Sequence, residues 1–120
     1  MTDRVRFQAD ADFNAFNIRG LLRRQPMIDV QTAEQAQLQG IDDVHVHVLA
    51  LAASAGRILV SHDYHTMPEH SAAFLAGGQR SPGVMPLHQT LPVAQAIEAL
   101  LVWEASAPNE WEDILTYLPQ

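Results

Sequence analysis

Hydrophobic and polar positions alternate with a period of two in a few short segments, and longer segments with helical spacing lie between them. Residues 5–9 alternate and lead into Asp10, which predicts a first strand with an aspartate at its carboxyl end. Residues 57–61, with three apolar residues at their centre, predict a buried strand that leads into His62 and Asp63, so a strand followed by an aspartate occurs twice. Two parallel strands of this kind would present Asp10 and Asp63 side by side.

The longer segments predict helices. The first extends from Asp12 to Arg24, with Asp12 or Asp10 as its N-cap and Pro26 beyond its end. A second candidate helix lies between Asp43 and Gly56, although its first residues alternate like a strand. Its alanine-rich second half, the double aspartate before it and Gly56 after it favour a helix. Further helices are predicted at 68–77 and 93–105, further strands at 27–30, 83–87 and within 109–117, and a loop or weak helical turn at 31–40.

Composition narrows the class of protein. A chain of 120 residues, 48% of them hydrophobic and 18% charged, predicts one folded domain over residues 1–120. Without cysteine, any metal must be bound by oxygen or imidazole. The first residues lack the apolar stretch of a signal peptide, and no segment has the roughly 20 apolar residues that span a bilayer. We therefore expect a cytoplasmic protein with no membrane partner.

The formal charge of −7 argues against unspecific binding to nucleic acid. The charge is unevenly distributed, however, because five of the seven basic residues lie in the first 24 positions and acidic residues crowd the C-terminus. All seven cations are arginines, the side chain that best matches a phosphate group. A local basic surface is therefore compatible with the acidic total.

Aspartates at strand ends have two interpretations. Carboxylate oxygens are the ligands that Mg²⁺ and Mn²⁺ prefer, and such ions activate water for phosphodiester hydrolysis. Aspartates also cap turns and helices at strand ends, so the spacing of Asp10 and Asp63 alone leaves both interpretations open. Asp42 or Asp43 is a candidate third ligand or a helix cap, and Asp12 is either a further carboxylate or an N-cap.

Histidines suggest a different metal. His45 and His47 on a strand, together with the histidines that follow, would suit zinc or non-haem iron. A helix would point these two side chains to different faces, and no known hydrolytic zinc motif matches their spacing. Exposed or capping histidines are the simpler interpretation. The histidines in question are His45, His47, His62, His65 and His70.

Several segments resemble, in order and over nearly the whole chain, a small bacterial PIN-like family whose members are largely domains of unknown function. The strongest are RFQADADF at 6–13, GRILVSHD at 56–63 and TMP at 66–68. The others are 81–84, 89–92, 96–98, 110–112 and 117–119. The resemblance implies a three-layer α/β/α domain of the PIN superfamily with a mostly parallel sheet. Better-known relatives in that superfamily are VapC-type toxin ribonucleases that use Mg²⁺ or Mn²⁺.

Site residues follow from the same resemblance. Asp10 matches the first strand-end aspartate of the family, and Asp63 matches the aspartate of its Thr/Ser-His-Asp segment. The middle acidic residue corresponds to Asp43 or His45. Ala11 stands where the family usually has glutamate.

The resemblance and the strand-end aspartates together predict a metal-dependent endoribonuclease, the toxin of a toxin–antitoxin pair. Asp10, Asp43 and Asp63 would hold Mg²⁺ or Mn²⁺, with Asp12 and Asp42 as further candidates. A bound water would attack the phosphate.

Arg19, Arg23 and Arg57 would position the RNA. The expected partners are RNA, a cognate antitoxin protein and a second copy of the chain. Two alternatives are a catalytically degenerate PIN-like module that binds RNA or protein, and a His-rich metal-binding protein.

Overall fold

The computed structural model describes residues 4–37 and 44–118, with the side chains of all of them except 44–46. Four strands and four helices alternate along these ranges. The strands are β1 (Arg6–Ala9), β2 (Asp29–Gln31), β3 (Ile58–Ser61) and β4 (Val84–Pro86). The helices are α1 (Ala15–Arg24), α2 (Val44–Ala55), α3 (Met67–Ala76) and α4 (Val93–Glu104), followed by a 3₁₀ turn at Pro108–Glu110.

The strands form one parallel sheet in the order β2-β1-β3-β4. β1 and β3 pair in the middle, with Phe7 opposite Ile58 and Ala9 opposite Val60. α1 packs against α4 on one face of the sheet and α2 packs against α3 on the other, which gives three layers. The predicted α/β/α class with a parallel sheet is confirmed.

Each face of the sheet carries its own hydrophobic core because side chains alternate along a strand. Phe7 and Val60 point towards α1 and α4, whereas Leu59 points towards α2 and α3. Asp10 follows Phe7 by three positions and Ser61 follows Leu59 by two, so both leave the sheet on the α2–α3 face. Buried residues on the first face include Ile18, Leu21, Met85, Leu100 and Trp103, and those on the second include Val48, Ala52 and Met67.

The start of α1 differs from the prediction. Asn14, not Asp12 or Asp10, is the N-cap, and its Oδ1 accepts from the Phe16 N–H at 2.9 Å. The two aspartates are unavailable as caps because they accept other hydrogen bonds in the turn after β1. The second helix ends as predicted, with Gly56 in the left-handed region at φ 68°. The proposed caps Asp42 and Asp43 lie outside the described residues.

The C-terminal segment runs beside β4 as an interrupted strand. Val84 donates to Ile114 O and accepts from Thr116 N, both at 3.0 Å, and Leu118 N donates to Pro86 O at 2.9 Å. In this register Pro86 would be the next donor, and it has no N–H. The predicted terminal strand is therefore reduced to isolated bridges at Leu115 and Leu118.

Aromatic stacking fixes the segment that leads to these bridges. Trp111 stacks on the buried Trp103, with ring centroids 3.8 Å apart and planes 8° from parallel. The Trp111 indole N–H also donates to Ser106 Oγ at 2.8 Å. Within the described ranges, no helix has the length and apolar character needed to cross a membrane.

We expect Gly83→Ala to lower the free energy of unfolding by about 2 kcal/mol or more, because a side chain is strained there and has no space. Gly83 has φ 133°, and a Cβ at this position would lie 2.8 Å from Trp111 O. Gly78→Ala is the matched control, since Gly78 also has positive φ but a Cβ there meets no described atom within 4 Å. Urea unfolding measures both, and equal losses would contradict the steric account.

Candidate functional site

The candidate site lies at the carboxyl ends of β1 and β3. The chain leaves β1 towards β2 on one side and leaves β3 towards β4 on the other, so these two strands flank a topological switch point. Ligands of open α/β sheets bind in the crevice at such a point. Asp10 follows β1 directly, and Ser61, His62 and Asp63 follow one another at the end of β3.

Ser61 connects the two predicted aspartates. Its hydroxyl donates to Asp10 Oδ2 at 2.8 Å and accepts from the Asp63 N–H at 2.9 Å. Asp10 is 2% exposed, and its Oδ1 also accepts from the Ala11 N–H at 2.8 Å. The parallel strands therefore place Asp10 and Asp63 at the same edge of the sheet, where a buried serine bonds the carboxylate of the first and the backbone N–H of the second. The sequence analysis gave Ser61 no role, although its position before His-Asp at the strand end was a usable signal.

Asp63 caps the turn that leads to α3. Its Oδ1 accepts from the Thr66 N–H at 2.9 Å, and its Oδ2 accepts from the Thr66 hydroxyl. This is the capping interpretation that the sequence left open. The half-buried side chain also lines a cleft, so capping does not remove it from the site.

Asp12 reaches from the turn after β1 to the end of β3. Its Oδ1 accepts from the His62 N–H at 3.3 Å and lies 3.5 Å from Ser61 Oγ. Unlike Asp10, Asp12 is exposed. Asp12 and Asp63 are thus the carboxylates that line the cleft, and Asp10 lies buried beside Ser61.

His62 is held as a neutral imidazole by its two partners. The Asn14 N–H can only donate, so His62 Nε2, 3.0 Å away, must accept. Leu87 O can only accept, so Nδ1, 3.0 Å from it, must carry the proton. The ring also stacks on Phe13, with centroids 4.8 Å apart. His62 thereby joins the turn after β1 to the ends of β3 and β4, and neither nitrogen is available to a metal unless one of these bonds is lost.

The cleft above these residues has a volume of about 280 Å³. Aromatic rings form one side of it: the centroid of the Tyr64 ring lies 5.4 Å from that of His88 and 5.0 Å from that of Tyr117. The His65 ring packs edge-on against Tyr64, with ring centroids 6.1 Å apart. The described residues that line the cleft are Asp12, His62, Asp63, Tyr64, His65, His88 and Gln89.

The predicted arginines lie away from this cleft. Arg57 precedes β3, at the opposite edge of the sheet, where it pairs with Asp29 at 2.6 Å and donates to Phe7 O at 3.1 Å. Arg19 and Arg23 are exposed on α1 and line a groove of about 420 Å³ against α4. Neither has an acidic partner in the part of the chain that the structure describes.

The third ligand predicted for the metal lies outside the described structure. Asp42 and Asp43 are not described, and neither is the side chain of His45. Among the side chains that the structure describes, no three histidines, aspartates or glutamates are grouped so that they could hold an ion. Of the three predicted aspartates, Asp10 and Asp63 lie at the same edge of the sheet, on either side of Ser61 in its hydrogen bonds.

Comparisons of the chain with models of protein families, with curated proteins and with solved structures found no match. The PIN-like resemblance therefore remains a prediction that rests on the segments quoted above. The geometry at the switch point is independent of that resemblance, because it follows from the strand pairing and the hydrogen bonds.

We expect His62→Ala to lower the free energy of unfolding by about 2 kcal/mol, because Asn14 N–H and Leu87 O both lose their partner. His65→Ala is the control from the same loop. His65 is exposed and has no hydrogen bond with the described residues, so its loss should cost under about 0.5 kcal/mol. Urea unfolding compares the two variants, and equal stability would show that the His62 bonds contribute little.

Proposed function

We propose that this protein is a metal-dependent endoribonuclease of the PIN-like type. In it, Asp10, Asp43 and Asp63 hold Mg²⁺ or Mn²⁺, and Asp12, which lines the cleft with Asp63, is a further ligand. The supporting observation is the Ser61 hydroxyl at the switch point, which donates to the Asp10 carboxylate and accepts from the backbone N–H of Asp63. A carboxylate oriented by a serine beside an open cleft with a few convergent polar groups is an arrangement typical of ligand sites.

The donor atoms fit such an ion in kind. Asp12 and Asp63 offer carboxylate oxygens to the cleft, and hard cations prefer oxygen. Mg²⁺ is commonly bound through one or two carboxylates, with waters and substrate phosphates completing its shell, so a pair of cleft carboxylates is sufficient in number. When bound, the ion would activate water and neutralise charge on the phosphate.

The chain's own residues orient the site. Ser61 sets the rotation of the Asp10 carboxylate, and Thr66 does the same for Asp63. His62 holds the turn that carries Asp12 against β3 and β4. These contacts position the carboxylates before substrate arrives, and preorganised groups make the largest contribution to catalysis of this kind.

A biological role is also part of the proposal. The resemblance to VapC-type toxins supports a toxin that an antitoxin protein neutralises, and relatives of that kind are commonly dimeric. Arg19 and Arg23 remain candidates for contact with the RNA backbone, because they are the α1 cations without an acidic partner among the described residues. Arg57 is a weaker candidate, since Asp29 already neutralises it.

We expect Asp63→Asn and Asp10→Asn each to reduce Mn²⁺-dependent RNA cleavage about 100-fold or more. Asparagine is the suitable substitution because it can still accept the capping bond while it loses the charge that binds a cation. Glu98→Gln, an exposed change on α4, is the control and should cleave like the wild type. Equal cleavage by the wild type and Asp63→Asn would refute the assignment.

A second candidate function is a PIN-like module that binds RNA or protein without cutting it. The groove between α1 and α4 favours it, because Phe16 is 63% exposed there and Arg19 lies 4.7 Å from the centre of its ring. An exposed aromatic ring beside cations is suited to stacking and to anionic partners. Ala11, in place of the usual family glutamate, also agrees with lost catalysis.

If the protein binds RNA through this groove, we expect the double change Arg19→Ala and Arg23→Ala to weaken binding of a fluorescent single-stranded RNA at least 5-fold. The reason is that two positive charges without an acidic partner among the described residues are removed. Arg24→Ala is the matched control on the same helix, since Arg24 is already paired with Glu98 at 3.0 Å. Fluorescence anisotropy at one fixed salt concentration measures both. Equal weakening by the two variants would exclude the groove as a specific surface.

A further inference from the structure

His88, which the sequence analysis did not consider, also has a fixed tautomer. The Thr90 N–H lies 3.2 Å from His88 Nδ1 and can only donate, so Nδ1 must accept. The Thr90 hydroxyl lies 2.7 Å from the same nitrogen and can donate to it as well. The neutral ring must then carry its proton on Nε2, which meets no acceptor among the residues that the structure describes.

His88 is held in place through its backbone and through a contact of its ring. Its backbone N–H donates to Leu118 O at 2.8 Å, and its own carbonyl accepts from Leu91 N at 3.0 Å. The Tyr64 ring packs edge-on against it, and Tyr117 supports Tyr64 from the C-terminal segment. A donor fixed in this way loses little entropy when it binds a ligand.

The cleft needs such a donor if it is to accept a phosphate. Asp12 and Asp63 line it with negative charge, and none of the described lining residues is lysine or arginine. A phosphodiester there would be repelled by the carboxylates unless a cation and hydrogen-bond donors compensated for them. Of the imidazoles that line the cleft, His62 uses both nitrogens in protein contacts, and His65 contacts the Tyr64 ring but has no hydrogen bond with the described residues that would fix its tautomer.

We propose that His88 donates a hydrogen bond from Nε2 to a phosphoryl oxygen of the substrate in the cleft. This inference rests on the proposed phosphodiester hydrolysis and assigns a phosphate-contacting residue to it. A neutral imidazole in this role stabilises developing negative charge without transferring its proton. His88 is therefore a hydrogen-bond donor here and not the general acid.

Two substitutions separate this role from a structural one. In His88→Gln the side-chain amide nitrogen reaches the former Nε2 position, whereas in His88→Asn the amide oxygen stays near the former Nδ1 and can accept from Thr90. The proposal predicts that His88→Asn cleaves RNA with Mn²⁺ about 100-fold more slowly than the wild type. His88→Gln should cleave substantially faster than His88→Asn. The reverse order, with asparagine the better replacement, would show a merely structural role and overturn the proposal.

A binding measurement keeps this test independent of RNA cleavage. ¹⁵N-histidine-labelled protein is titrated with inorganic phosphate in the presence of Mg²⁺, and NMR monitors the ring nitrogens. We expect His88 to be protonated on Nε2, its Nε2–H signal to shift with phosphate, and His88→Asn to bind phosphate at least 5-fold more weakly. A proton on Nδ1, or phosphate binding that is absent or unchanged in His88→Asn, would overturn the proposal. Wild-type protein that binds phosphate through His88 but cuts no RNA would refute only the nuclease assignment.

Discussion

The parallel pairing of β1 with β3 is the constraint on which the rest of the structure depends. It places Ala9 opposite Val60, and the Asp10 N–H extends the ladder by donating to Val60 O at 2.9 Å. The next residue of β3, Ser61, is then close enough to bind the Asp10 carboxylate. Because the connections from these two strands lead in opposite directions, a cleft is left at this edge of the sheet.

Charge is divided between the two edges of the sheet. Arginine side chains lie at the amino edge of the sheet, where Arg57 pairs with Asp29 and Arg6 donates to Ala55 O at 2.7 Å. Carboxylates and neutral imidazoles occupy the carboxyl edge, among them Asp12 and His62. In an acidic protein this arrangement leaves the cleft attractive to cations first, and to phosphates only with a cation or oriented donors present.

The C-terminal segment completes the cleft from the far side of β4. It runs along β4 as a strand would, except at Pro86, which cannot donate. The stack of Trp103 on Trp111 and the hydrogen bonds around Asp113 and Ser81 fix its start. Its end supplies Tyr117 behind Tyr64 and the Leu118 carbonyl that holds His88. Packing that stabilises the fold therefore also shapes the wall of the candidate site.

The sequence by itself determined most of the elements and the edge of the sheet at which Asp10 and Asp63 lie. Period-two and helical spacing are properties of neighbouring residues, so they predicted the strands, the helix that ends at Gly56 and the delivery of Asp10 and Asp63 to one edge. Local chemistry also allowed Asp63 to be a cap, which it is. The start of α1 at Asn14 was missed because the earlier aspartates are engaged by groups from β3.

Only the tertiary structure decided what the side chains at that edge do. Ser61 and Asp10 are 51 positions apart, and Asn14 and His62 are 48 apart, so no local pattern relates them. The protonation sites of His62 and His88 follow from whether each neighbour can donate or accept, which depends on three-dimensional contact. For the same reason Arg57, plausible in the sequence as an RNA contact, lies at the opposite edge, bound to Asp29. Periodicity assigns a residue to an element, but its hydrogen-bonding partner is set by how the elements pack.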